Sequence, residues 1–147
     1  KEKQVCIQAG GNVGYYTKIY AELFDTVYTF EPNPLNFYCL NKNVQNANVI
    51  KFQSCLGDSH QLVSIDLPAS HVKKGINIGT YHISGKGIIP TLLIDDLNLD
   101  TCDLIHLDIE GFEINAINGA TNTIAKYKPT ICLEINSTVK LCTSWSY

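Results

Sequence analysis

The sequence contains no methionine and a single tryptophan, and its 11 Lys and Arg are outnumbered by 14 Asp and Glu, leaving a formal net charge of −3. That balance offers no electrostatic footprint for a polyanion, and the cations are scattered rather than striped, which disfavours a nucleic-acid partner. Long apolar runs are missing as well. None approaches the ~20 residues needed to cross a bilayer, and no signal-peptide pattern precedes the first strand, so a soluble, cytoplasmic protein with no membrane partner is expected. Beginning at Lys1 with no Met anywhere, the chain reads as processed or trimmed, with elements at either end expected to be missing.

The six cysteines, Cys6, Cys39, Cys55, Cys102, Cys132 and Cys142, form no C-x-x-C pair and no Cys/His cluster at zinc spacing. Most lie in apolar surroundings, where a thiol behaves as a small hydrophobe. Reduced, buried thiols in a reducing compartment are therefore expected rather than disulfides or a metal site.

What the chain does contain is material for one core. At 147 residues with 45% hydrophobic content it is the size of one domain, spanning 1–147, and a chain of this size buries roughly two thirds of its unfolded surface. Short apolar runs alternate with helical patterns. Stretches 3–9 (KQVCIQA), 26–31 (TVYTFE) and 48–53 (NVIKFQ) read as strands, and 13–24 (VGYYTKIYAELF) and 35–44 as the helices between them, with Pro34 suiting a first helical turn. This order implies right-handed crossovers and a parallel sheet. The rhythm changes over 56–96, which is rich in Gly, Ser and His; LVSIDL and GTYHIS alternate like antiparallel hairpin strands. Its glycines, Gly75, Gly79, Gly85 and Gly87, suit either a mobile flap or a plain surface hairpin. Beyond it, 103–109 (DLIHLDI) reads as a strand, 113–127 as one helix and 129–135 (PTICLEI) as another strand, with no assignment for the last twelve residues.

The first strand runs into a bare turn, Gly10, Gly11 and Gly14. Such a turn either lets strand reverse into helix, or lets main chain approach a ligand ahead of a helix N-terminus. In an open parallel sheet a ligand lies outside the carboxyl ends of the strands, where strand order reverses. Glu31, at the tip of the second strand, follows Gly10 by 31 − 10 = 21 residues, near the spacing of about 20 at which a carboxylate reaches both ribose hydroxyls. The alternative is an acid capping the next helix, a task Asn33 suits equally. The G-G-x-x-G spacing departs from the G-x-G-x-x-G of dinucleotide enzymes, which leaves an NAD-dependent oxidoreductase behind.

The third cluster is LIHLDIEGFE, 104–113. Strand alternation places His106, Asp108 and Glu110 on one side, and three such polar positions on a strand expected to be buried point to an opening into a cleft; the alternative, a helix-capping Asp or Glu beside Gly111, accounts for only one of the acids.

In order along the chain, QAGGNVGYYT, FEPNP, LIDDL, HLDIEGFEINAINGA and PTICLEI resemble the successive motifs of the FkbM family of S-adenosylmethionine-dependent methyltransferases. The resemblance implies an α/β fold, the Rossmann-like, mostly parallel sheet of class I methyltransferases with flanking helices and a β-hairpin insertion. It also implies methylation of a hydroxyl on a sugar or small molecule. By the same resemblance, Gly10, Gly11, Asn12 and Gly14 hold the methionine portion and ribose side of S-adenosylmethionine, and Glu31, followed by Pro32, takes the ribose hydroxyls. Leu56, Gly57 and Asp58 lie where such folds contact adenine, although Asp58 also suits a plain turn. Asp108, Glu110 and His106 line the site as catalytic residues, with Asp108 the leading base or orienting group. No metal is demanded by the spacing. Gln8 stands where the family's first strand usually ends in Asp, which implies weaker cofactor affinity. The chain stops soon after the fifth α/β strand, so the final antiparallel pair is expected to be missing or another copy of the chain to cover the open edge. A catalytically inactive domain that binds a nucleoside-like ligand or a protein partner is the alternative.

Overall fold

The computed structural model describes residues 3–66 and 82–134. Along them run β1 (Val5–Ala9), α1 (Tyr15–Leu23), β2 (Thr26–Phe30), α2 (Pro34–Asn43), β3 (Val49–Phe52), β4 (Cys55–Leu56), β5 (Leu62–Asp66) and β6 (His82–Leu92). A 3-10 turn (Ile94–Leu97) then leads to β7 (Leu104–Leu107), α3 (Glu113–Asn118), α4 (Thr121–Tyr127) and β8 (Thr130–Leu133).

In VCIQA the consecutive Val5, Cys6 and Ile7 are apolar, and Cys6 and Ile7 are both fully buried, so β1 has both of its faces covered. That is the environment of a central parallel strand. Among the described residues the main sheet is five-stranded in the order β3-β2-β1-β7-β8, and every neighbouring pair is parallel. The chain moves outward from β1 to β3, then returns to the other side of β1 with β7. Strand order therefore reverses between β1 and β7, the place where an open α/β sheet leaves a crevice at its carboxyl edge. Ile7, Phe30, Ile94, Ile105, Leu107 and Ala116 belong to one buried cluster that joins this sheet to α3 and the 3-10 turn.

The insertion forms as expected in outline: β5 pairs with β6 antiparallel, and β4 joins β6 in parallel. The pairing jumps between Val63 and Ser64, whose partners are Ile89 and Ser84. Gly87 lies inside that jump, where a Cβ would stand 2.1 Å from the Val63 carbonyl oxygen, so the extra loop of β6 folds tightly over β5. Gly75 and Gly79 lie outside the described residues, as do Ile135 and the last twelve residues.

The helix expected over 113–127 is two helices. α3 ends at Gly119, whose position leaves no room for a side chain: a Cβ there would lie 1.9 Å from the carbonyl oxygen of Gly57. The Gly119 carbonyl accepts the Asp95 N–H at 3.0 Å, and the Asp95 carboxylate in turn accepts the N–H groups of Asn122 (3.0 Å) and Thr123 (2.8 Å) in the first turn of α4. A distant acid thus starts the second helix, as an N-cap residue would. Burial pushes the Asp95 carboxyl up, but the N–H groups of Thr123 and Asn122 outweigh it and hold it below its ordinary value. A depressed carboxyl stabilises the fold above its unfolded pKa and loses that contribution as pH falls through the folded value. Asp95→Ala is expected to cost about 1 kcal/mol in thermal unfolding at neutral pH, and the gap from wild type should close in acid below about pH 4.

Candidate functional site

A cavity of about 330 Å³ opens at the carboxyl ends of β1, β2 and β7. Its floor is the glycine turn. The N–H groups of Gly10 and Gly11 both donate to the Phe30 carbonyl, at 3.0 and 2.9 Å, and the Gly11 carbonyl accepts from the Gly14 N–H at 2.8 Å. Gly10 has φ +84° and abuts the main chain of Asp108, where a Cβ would lie 2.0 Å from the carbonyl oxygen. The bare backbone therefore lets the turn after β1 pack against the end of β7, and several of the turn's own polar groups are spent inside the fold. Gly14, at φ +98°, begins α1 and packs against Val44 and Leu40 of the α2 region; it is not among the cavity-lining residues.

Gly10, Gly11, Asn12, Glu31, Pro32 and Leu56 all line the cavity. Glu31 is 4% exposed, with one carboxylate oxygen accepting the Asn12 N–H at 2.7 Å and the other accepting the Asn33 N–H at 2.9 Å. A carboxylate offers about four acceptor sites, so with the Asn36 side chain as a third donor the group keeps room for a further one. Burial pushes its carboxyl up, opposed by the backbone of Asn33 and Asn12 and the side chain of Asn36. Capping of α2 falls to Asn33, whose side chain accepts from the N–H groups of Leu35 and Asn36. Asp58 is exposed and bound to Ser59 and to Asn115 of α3, outside the lining residues.

The acidic wall consists of Asp108, Glu110 and Glu134. β7 ends at Leu107, so the alternation that grouped His106 with Asp108 and Glu110 stops before Asp108. The chain then turns through Glu110 (φ +54°) and Gly111 (φ +101°), and one oxygen of buried Glu113 holds that turn by accepting the Ile109 and Gly111 N–H groups, each at 3.1 Å. Asp108 and Glu110 reach the cavity, whereas His106 packs under α1. Its ring meets Tyr16 and Tyr20 edge-on, its Nδ1 lies 3.2 Å from the Tyr20 hydroxyl, and it is not among the lining residues. Burial holds its imidazole below the ordinary value, with Glu134 opposing.

Glu134 escaped the sequence reading. It follows Leu133, the partner of Leu107 in the β7–β8 register, so it stands beside Asp108 at the next strand tip. A hydrogen bond with Asp108 and the charge of Asp108 push its carboxyl up; burial adds to this and His106 opposes it. Tyr15 and Tyr16, 72% and 50% exposed, form the rim, and Ile65 and Ile83 bring the insertion's hairpin to the far wall. Ser54 and Cys55 complete that end. The Cys55 thiol is pushed up to about 12 by burial and then by Glu31, which makes it inert at neutral pH. Among the described residues no group of three or more His, Cys, Asp or Glu is placed to hold a metal ion, and no helix is long and apolar enough to cross a membrane.

Comparison with known proteins adds to this geometry. Among solved structures, the chain is similar to methyltransferase FkbM from Methylobacillus flagellatus KT, with 19% sequence identity and a TM-score of 0.61. The match covers 90% of this chain and 32% of that one, so the chain spans about a third of that protein's length, and the likeness shows the fold. No curated protein sequence matches the chain. The family described as the methyltransferase FkbM domain matches residues 8–140, and the chain belongs to that family.

Proposed function

We propose that this chain acts as one methyltransferase domain that binds S-adenosylmethionine and methylates a hydroxyl group on a sugar or other small molecule. The observation that carries the reading is that Glu31 and Asp108, 77 positions apart by 108 − 31, line one cavity across the glycine turn.

The residues present fit an adenosine-bearing cofactor. Glu31 takes three donors, the N–H groups of Asn12 and Asn33 and the side chain of Asn36, and a carboxylate with about four acceptor sites keeps capacity for a ribose hydroxyl. Ser54, 2% exposed, lines the same cavity with a hydroxyl that has no hydrogen-bond partner among the described residues, and a buried polar group left in that state favours a ligand that completes it. Leu56, Ile65 and Ile83 supply apolar surface for a base. When bound, the cofactor supplies an electrophilic methyl group on a sulfonium.

The work left to the chain is alignment, exclusion of water and removal of one proton. The Asp108 carboxylate takes the proton of the acceptor hydroxyl, Glu110 supports it on the same wall, and His106 acts at one remove by packing against Tyr16. The rim of Tyr15 and Tyr16 offers the acceptor a broad apolar face beside these carboxylates.

Calorimetry with S-adenosylmethionine and S-adenosylhomocysteine tests the first half of this reading. Release of S-adenosylhomocysteine with a panel of sugars and small alcohols tests the second. Binding with turnover is expected. Absence of binding would overturn the proposal, and binding with no turnover on any acceptor would favour a ligand-binding domain without catalysis.

A further inference from the structure

Gln8 occupies the penultimate position of β1, fully enclosed at 1% exposed, and does not line the cavity. Its side chain is nonetheless bonded at every atom that can bond. The amide oxygen accepts the hydroxyls of Thr17 (2.7 Å) and Thr29 (2.6 Å), both 0% exposed, and the amide nitrogen donates to the Gly10 carbonyl at 2.9 Å. The amide orientation follows from this set, because a flipped amide would aim an oxygen at the Gly10 carbonyl and a nitrogen at the shared site of the two hydroxyls. Thr17 belongs to α1, and Thr29 sits opposite Gln8 in the β1–β2 register. One amide thus ties three elements to the turn.

The turn it holds is the cavity floor. The Phe30 carbonyl fixes the N–H groups of Gly10 and Gly11, and Gln8 fixes the Gly10 carbonyl, so the floor meets a ligand chiefly through its shape. The fit leaves little slack: a Cβ on Gly11 would lie 2.8 Å from the Thr29 hydroxyl oxygen.

We infer that Gln8 is a positioning residue for the cofactor cleft, and that with Thr17 and Thr29 it requires a neutral amide where a carboxylate would loosen the site. The inference rests on the cofactor reading above. A carboxylate can accept from both threonines but cannot donate to Gly10, and it would set a negative charge against the Gly10 carbonyl in a buried place. The expectation that Gln8 weakens binding because it lacks charge is therefore reversed: this amide supports binding, and the acid would impair it.

The test is calorimetry of the full chain with S-adenosylhomocysteine, paired with thermal unfolding. Gln8→Glu is expected to weaken binding about tenfold, the effect of losing one buried hydrogen bond with its partner left unsatisfied. Thr29→Val, which keeps shape and removes the hydroxyl, should weaken it severalfold, and Thr29→Ser should restore it to within about twofold. Ile94→Val, in the core and not among the cavity-lining residues, should lower the melting temperature with no change in affinity, which separates positioning from general destabilisation. Wild-type affinity in Gln8→Glu overturns the inference, as does a loss in Thr29→Val that Thr29→Ser fails to restore. If Gln8→Glu does not fold, the two Thr29 variants decide. Failure of the wild type itself to bind overturns the cofactor reading instead.

Discussion

Replacing Glu31 with Gln is expected to weaken binding of S-adenosylhomocysteine by about 3 kcal/mol, on the order of 100-fold, because hydrogen bonds to a charged group are each worth roughly 1.5–3 kcal/mol. Two losses combine. The carboxylate that would accept a ribose hydroxyl becomes a group that accepts at one atom only. The resting site is disturbed as well, because Asn12 and Asn33 each aim an N–H at a different oxygen, at 2.7 and 2.9 Å. Whichever way the new amide turns, its nitrogen faces a donor. Thermal unfolding should therefore show a smaller parallel loss of about 1–2 kcal/mol. Affinity within threefold of wild type by calorimetry would remove Glu31 from the binding site.

The titration of Glu31 gives this prediction a second arm. Burial raises its carboxyl above the ordinary value despite the Asn33, Asn12 and Asn36 donors. For a carboxyl raised by folding, the stabilising contribution is present below the unfolded pKa and is lost as pH rises through the folded one, so the ionised group is a cost to the empty site. Hydroxyl donors from a ribose favour the ionised form and offset that cost. Binding should therefore release protons in weakly acidic buffer, and affinity should fall as pH drops through the raised titration of Glu31. Calorimetry in buffers of different ionisation enthalpy measures the release directly, and Glu31→Gln should abolish it.

The strands could be read from the sequence because parallel strands covered on both faces are nearly continuous apolar runs, as VCIQA and TVYTF are. Glu31 could be read because the strand–turn–helix–strand spacing is set by local geometry. The break between α3 and α4 could not, since it depends on Asp95 and the Gly57 carbonyl, both remote in sequence from Gly119. His106 was grouped with Asp108 on an alternation that holds only while a strand lasts, and the turn at Glu110 and Gly111 ends it. Glu134 became visible only through the register of β7 with β8, which is a property of the sheet and not of either strand. Gln8 illustrates the same limit from the other direction. Its residue type suggested a missing charge at a ligand, whereas its direction, turned toward Thr17 and Thr29, is set by tertiary packing.

Asp108→Asn is expected to lower turnover by about 10²–10⁴-fold, the range typical of a general base, while S-adenosylhomocysteine binds within about twofold of wild type. The change is nearly isosteric, and the main-chain contacts of this position, its N–H to the Ala9 carbonyl at 3.1 Å and its carbonyl against Gly10, do not involve the side chain. The cavity should keep its shape, so the loss falls on turnover rather than on cofactor affinity. Glu134 supplies an internal check. Its carboxyl is raised first by the hydrogen bond with Asp108 and then by the Asp108 charge, so removing that charge should bring it back toward the ordinary Glu range, visible in the carboxyl carbon resonances. Beside Asp108 at the next strand tip, Glu134 is placed to accept the proton at reduced efficiency. A double variant, Asp108→Asn with Glu134→Gln, should therefore fall below Asp108→Asn alone, and Glu134→Gln alone should fall less than Asp108→Asn does. Full turnover in Asp108→Asn with cofactor bound would leave these carboxylates as wall residues and move the proton acceptor to another group at the cavity.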